Sequence, residues 1–159
     1  MSVQRPPFFH LFMATGFGSG FSPVAPGTAG ALLAVLLWIA GYFLLPFGIL
    51  QTVLAAAIVY FTVQGIYSSA VMEKYWGEDP SRVVIDEMVG VWIPLLVVPD
   101  GGWWYVVAAF ALFRFFDIVK PLGVRRMERF RGGVGIMMED ILAGIYSAIL
   151  LGIIRLSIE

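Results

Sequence analysis

The chain contains no cysteine and a single histidine, His10. The first absence removes disulfides, thiolate metal sites and cysteine nucleophiles together. The second removes two-histidine phosphatase chemistry and zinc centres built on several imidazoles. Charge is also scarce. Asp, Glu, Lys and Arg make up 13% of the residues, against ~25% in a typical soluble domain. From Leu11 to Met72 there is none at all. Several motifs are missing too. There is no GxxxxGK[ST] loop, no DxDx[TV], and no GxSxG around Ser19, because position 17 is Phe. The net charge of −1 says nothing about partners, and no nucleic-acid signature is visible, so no nucleic-acid partner is expected.

What is present is apolar. The chain is 60% hydrophobic, with a mean hydropathy of +0.89. A stretch such as 11–72 cannot form the surface of a soluble protein, so the chain reads as an integral membrane protein. Its length allows one domain, residues 1–159. The expected fold is all-α: a membrane helical bundle of about four to five apolar helices, some short or tilted. Phe8–Ala14 reads as a short interfacial helix. The apolar segments run over Ala29–Leu45, Gly48–Met72, Met88–Val98, Trp103–Val119 and Asp140–Leu156. The third and fourth are short for full spans and invite tilt or local thinning of the bilayer.

Basic residues concentrate in two connections, 73–85 and 120–139, which hold Lys74, Arg82, Lys120, Arg125, Arg126, Arg129 and Arg131. The connections at 46–47 and 99–102 hold no Lys or Arg. The positive-inside rule therefore places the charged connections in the cytoplasm. In that topology Thr15–Gly30, Asp86–Glu87, Arg114–Lys120 and Glu139–Asp140 all reach the cytoplasmic ends of their segments.

Acids at such places need a reason. A charge at the bilayer centre costs ~2.5–3.5 kcal/mol on insertion scales, and several carboxylates in one region repel. Asp86, Glu87, Asp117, Glu139 and Asp140 could share a divalent cation, and an oxygen-only set suits Mg²⁺ best. They could equally cap helix N-termini, where acids are favoured. Arg114, Asp117 and Lys120, spaced i, i+3, i+6, share a helix face. That face reads either as a salt-bridged strip hiding Asp117 or as a ligand flanked by two phosphate-binding cations. Gly16–Gly30, with Ser19, Ser22 and Thr28, reads as an anion-binding loop or as a flexible lead into a transmembrane helix. Gly132, Gly133 and Gly135 have the same two readings.

Taken together, TGFGSGFSPVAPGTAG (15–30), VVIDEMVGVW (83–92), FRFFDIVKP (113–121) and GGVGIMMEDILAG (132–144) resemble the phosphatidylglycerophosphatase A family. The pieces run in the family's order. Glu139 stands where the family often has Asp. The resemblance implies a Mg²⁺-dependent lipid phosphatase, multi-pass in the bacterial inner membrane. It would convert phosphatidylglycerophosphate to phosphatidylglycerol and phosphate at the cytoplasmic face. Asp86, Glu87, Asp117, Lys120 and Asp140 would be catalytic. Asp86, Glu87, Asp117, Glu139 and Asp140 would hold the metal. Ser19, Thr28, Arg114, Lys120 and Gly133 would bind the phospholipid substrate. The expected partners are lipid and membrane, with a homo-oligomer compatible. The competing reading is a small transporter or channel subunit with a cytoplasmic-side cation site. It predicts acids near mid-membrane and symmetry between halves; here the acids lie at segment ends and no repeat is visible.

Overall fold

The computed structural model describes residues 4–121 and 123–159, the side chain of Glu128 excepted. Met1–Val3 of the polar start and Leu122 of the basic connection lie outside the described residues. The described residues form α-helices α1 (Phe8–Ala14), α2 (Pro26–Leu44), α3 (Phe47–Trp76), α4 (Ile85–Leu95), α5 (Trp103–Val119) and α6 (Gly133–Ile158). Short 3₁₀ turns lie at Ser19–Phe21 and Val124–Arg129. No strand occurs among the described residues. The all-α expectation therefore holds.

Helices α2, α3 and α6 are long and apolar enough to cross a membrane. Their most apolar windows are only 28%, 17% and 22% buried, so most of their apolar side chains stay at least partly exposed. A soluble helix buries that face; these three present it to the surroundings, as lipid-facing helices do. Helix α4 is the reverse. It is only 11 residues long, yet Ile85, Asp86, Met88, Val89, Gly90, Val91, Trp92, Pro94 and Leu95 are all buried. It is the central element, packed against α2, α3, α5 and α6.

The most extensive helix packing is between α4 and α6. A Cβ on Gly144 would overlap the carbonyl oxygen of Gly90, and a Cβ on Gly90 would overlap the Phe113 ring of α5. With no hydrophobic drive between helices in lipid, close approach at small residues is what holds such a crossing. Pro94 cannot donate to the Gly90 carbonyl, and it is this carbonyl that faces Gly144. On the other side of α4, Trp92 Nε1 donates to the Ala34 carbonyl of α2 at 3.0 Å. At the far end, Gln51 donates to the Leu95 carbonyl at 3.0 Å. Arg155 donates there to the Val97 carbonyl at 2.9 Å. That bond gives a partner to a base that lies at the end of α6, outside the two basic connections.

Several boundaries differ from those expected. The helix expected to open at Asp140 begins at Gly133, so Glu139 and Asp140 lie about two turns inside α6 and do not cap it. The glycines that suggested a loop are instead required by contact: a Cβ on Gly133 would overlap the Ile66 carbonyl of α3, and one on Gly135 the Phe130 carbonyl. Likewise α3 continues through Glu73 and Lys74 to Trp76. At 30 residues it is about 45 Å long at 1.5 Å per residue, well beyond a ~30 Å hydrocarbon core. Its charged last turn can therefore stand clear of the lipid.

Candidate active site

The Gly90–Gly144 crossing sets the site. Asp86 lies one turn before Gly90, and Asp140 one turn before Gly144. The two helices run in the same direction here, with Gly144 against Gly90 and Gly152 near Val97, so side chains one turn earlier on each come together. Carboxylate oxygens of Asp86, Glu87 and Asp140 come within 4.8 Å of one another. Asp117, Glu139 and Asp140 form a second such group, so Asp140 belongs to both. Asp86 and Asp140 are 7% and 2% exposed, and Asp117 is buried.

The last two turns of α5 supply the bases. Arg114 donates to Asp117 Oδ2 at 2.5 Å. Lys120 Nζ lies 4.0 Å from Asp117 Oδ1 and contacts Glu139 Oε1. Lys120 caps α5 with φ of +52°. That left-handed conformation costs a non-glycine residue roughly 1–2 kcal/mol, and it directs the side chain back toward the acids. Pro121 follows and prevents the helix from continuing.

Several polar atoms here have no partner. Asp86 Oδ1, Glu87 Oε2 and Asp140 Oδ2 are buried and unsatisfied, as is Arg114 Nε. A buried, unpaired carboxylate oxygen is expensive, and three together repel as well. Their chemistry fits a hard divalent cation, which takes oxygen ligands from several carboxylates. The Arg114 Nε–H is the complementary orphan: a buried donor that needs an acceptor, as a phosphate oxygen would be.

The remaining predicted residues fall into two sets. The N-terminus of α2 reaches the site, because a Cβ on Gly27 would come within 2.5 Å of Glu87 Oε1; Thr28 is the next residue. Ser19 does not point its hydroxyl outward, since Ser19 Oγ donates to the Gly16 carbonyl at 2.8 Å. Gly133 is a packing contact on α3, as described above. The segment 16–25 and the first turns of α2 form a fitted cover over the start of α4. Gly16 abuts Met88 and Val84, Gly20 the Arg82 carbonyl, and Gly30 Val84. Phe17 and Ala25 are held at positive φ within it, a strain that persists only where surrounding structure imposes it.

This arrangement can be compared with known proteins. The model of the family described as Phosphatidylglycerophosphatase A matches residues 12–155. The chain belongs to the phosphatidylglycerophosphatase A family. Two members named Phosphatidylglycerophosphatase A illustrate the relationship. That of Escherichia coli is 40% identical over 142 residues, covering 88% of this chain and 79% of its own. That of Haemophilus influenzae is 41% identical over 142 residues, covering 88% and 84%. A Bacteroides thetaiotaomicron protein is 65% identical over 155 residues, covering 96% and 98%. It carries the provisional name phosphatidylinositol-3-phosphatase. No solved structure matches the chain. As a member of the phosphatidylglycerophosphatase A family, the protein is a phosphatase, with three helices long and apolar enough to span a membrane among its described residues.

Two features of this family member were not anticipated from sequence. One is the Gly90–Gly144 crossing. The signal for it was present, since Asp86 and Gly90 have the same spacing as Asp140 and Gly144. The other is an open cleft of about 800 Å³ beside Glu139, lined among others by Glu73, Glu78, Arg129 and Arg131. It joins the end of α3 to the basic connection, which the charge pattern explained by topology alone.

Proposed function

We propose that the protein hydrolyses the terminal phosphate of phosphatidylglycerophosphate, giving phosphatidylglycerol and inorganic phosphate, with Mg²⁺ as cofactor. The observation that carries this reading is the set of buried, unpartnered oxygens on Asp86, Glu87 and Asp140 beside the unpartnered Arg114 Nε. One group calls for a cation and the other for an anion, in adjoining positions. Asp86, Glu87 and Asp140 would hold the metal, with Asp117 and Glu139 behind them. When bound, the cation supplies Lewis-acid polarisation of the phosphoryl group. Arg114 donates from Nε to a phosphate oxygen and keeps its other nitrogen on Asp117. Lys120 adds positive charge where the transferring group becomes more negative. Thr28 and the amides at the start of α2 offer further donors.

In the hydrolysis, water's oxygen bonds to phosphorus as the bond from phosphorus to the glycerol oxygen breaks. Glu139 is already engaged by Lys120, so we assign Glu87, through the oxygen it does not lend to the metal, as the group that takes the water proton and returns it to the leaving oxygen. A lipid substrate suits a site at one end of the bundle. The acyl chains stay in the bilayer along the exposed apolar faces, and the headgroup meets the charged residues. The basic connections around this end support, by the positive-inside rule, a site at the cytoplasmic face of a bacterial inner membrane.

The test is phosphate release in detergent micelles. Phosphatidylglycerophosphate should be hydrolysed with Mg²⁺ and not after chelation; metal-independent release would sink the proposal. The name of the 65%-identical relative favours a second substrate, phosphatidylinositol 3-phosphate. Running both lipids in parallel identifies the preferred one by kcat/KM.

Orientation has its own test. The chain lacks cysteine, so single substitutions give clean labelling. Arg126→Cys should react with a membrane-impermeant maleimide only in inverted vesicles. Labelling in intact spheroplasts would reverse the assignment.

A further inference from the structure

Asp140 joins two groups of three carboxylates, an arrangement that could hold two divalent cations bridged by one residue. The groups differ in how their oxygens are used. In Asp86–Glu87–Asp140, each residue has one buried oxygen with no partner. In Asp117–Glu139–Asp140, the two members that are not shared are already engaged. Asp117 Oδ2 receives Arg114 and Asp117 Oδ1 faces Lys120 Nζ. Glu139 Oε1 contacts the same Lys120 Nζ.

We infer that the Lys120 ammonium occupies the place of a second metal ion, so that the site binds a single divalent cation, between Asp86, Glu87 and Asp140. This rests on the metal-dependent reading above and specifies its stoichiometry. Charge supports it. Arg114 and Lys120 balance Asp117 and Glu139, so another divalent ion there would meet two cations and no free carboxylate except Asp140. Geometry supports it as well. Lys120 Nζ is delivered by the left-handed cap of α5 and the following Pro121, at the point where the chain leaves the helix. Lys120 thus links α5 to α6 through Asp117 and Glu139.

The experiment is equilibrium dialysis of the purified full chain in detergent against Mn²⁺, with bound ion counted by electron paramagnetic resonance. Wild type should bind one Mn²⁺ per chain with an isolated-ion spectrum. Lys120→Gly removes the ammonium and suits the left-handed backbone. Lys120→Met removes the charge while retaining a side chain of similar reach. Both should bind two Mn²⁺ per chain, with spectra broadened by coupling between neighbouring ions. Two ions in wild type, or one in both variants, would overturn the inference. Phosphate release by the same wild-type sample separates the two claims. One ion in wild type and two in the variants, without lipid hydrolysis, would uphold the stoichiometry and refute the function. Hydrolysis with two ions in wild type would do the reverse.

Discussion

Asp140→Asn should reduce Mg²⁺-dependent phosphate release by about 10³-fold, in line with the loss of a principal electrostatic group in an active site. Asp140 is the residue that both carboxylate groups share, and it is almost fully buried. Its amide replacement is nearly isosteric but carries no charge to hold a cation. The same variant should behave oppositely in stability. Without metal, the wild-type site contains crowded acids whose oxygens lack partners, and removing one charge relieves that repulsion. Metal-free Asp140→Asn should therefore unfold at a higher temperature than metal-free wild type. Adding Mg²⁺ should raise the Tm of wild type, because a ligand that binds only the folded state stabilises it by mass action. The variant should gain little. Thermal unfolding with and without Mg²⁺ measures the crossover. A metal-free variant less stable than wild type would show that Asp140 serves packing and not charge storage.

Gly144→Ala should lower activity by roughly 10²-fold, the loss expected for a displacement near 1 Å at a reacting centre. It touches no site residue directly. Its methyl group would fall on the Gly90 carbonyl oxygen, and backbone cannot move aside as a flexible side chain can. Helices α4 and α6 must separate or rotate, carrying Asp86 away from Asp140. Overpacking of this kind typically costs about 1–3 kcal/mol, so the protein should still fold with a reduced Tm. Gly152 supplies the control. It lies two turns further along α6, where a Cβ would meet only Val97 Cγ1 at an ordinary 3.7 Å. Gly152→Ala should leave activity unchanged and slightly favour the helix. Equal activity in Gly144→Ala and wild type would remove the crossing from the account of how the acids are positioned.

The same residues show what could and could not be read from a linear chain. The absence of charge over 11–72 and the apolar content identify a helical membrane protein without coordinates, because backbone groups in lipid must satisfy one another within helices. The motif pieces at 15–30, 83–92, 113–121 and 132–144 carry the family relationship by residue identity alone. Helix limits were less legible. Gly133 and Gly135 look like loop residues by composition, and only contact with the Ile66 and Phe130 carbonyls shows that α6 needs them for close packing. That shift moves Glu139 and Asp140 from a cap into the body of a helix.

The sequence by itself determined that five acids and two bases would lie toward ends of apolar segments, since their spacing from those segments is a one-dimensional property. It could not decide which acids meet. That depends on how helices cross, and crossing depends on atoms distant in sequence: the Gly90 carbonyl against Gly144, and the Phe113 ring against Gly90. The tertiary structure alone divides the acids into two groups sharing Asp140. It alone shows that Lys120 and Arg114 engage one group while the other retains its unpartnered oxygens. Charge can be counted along a chain, but its neutralisation is a matter of distances of a few ångströms, which only the packed helices set.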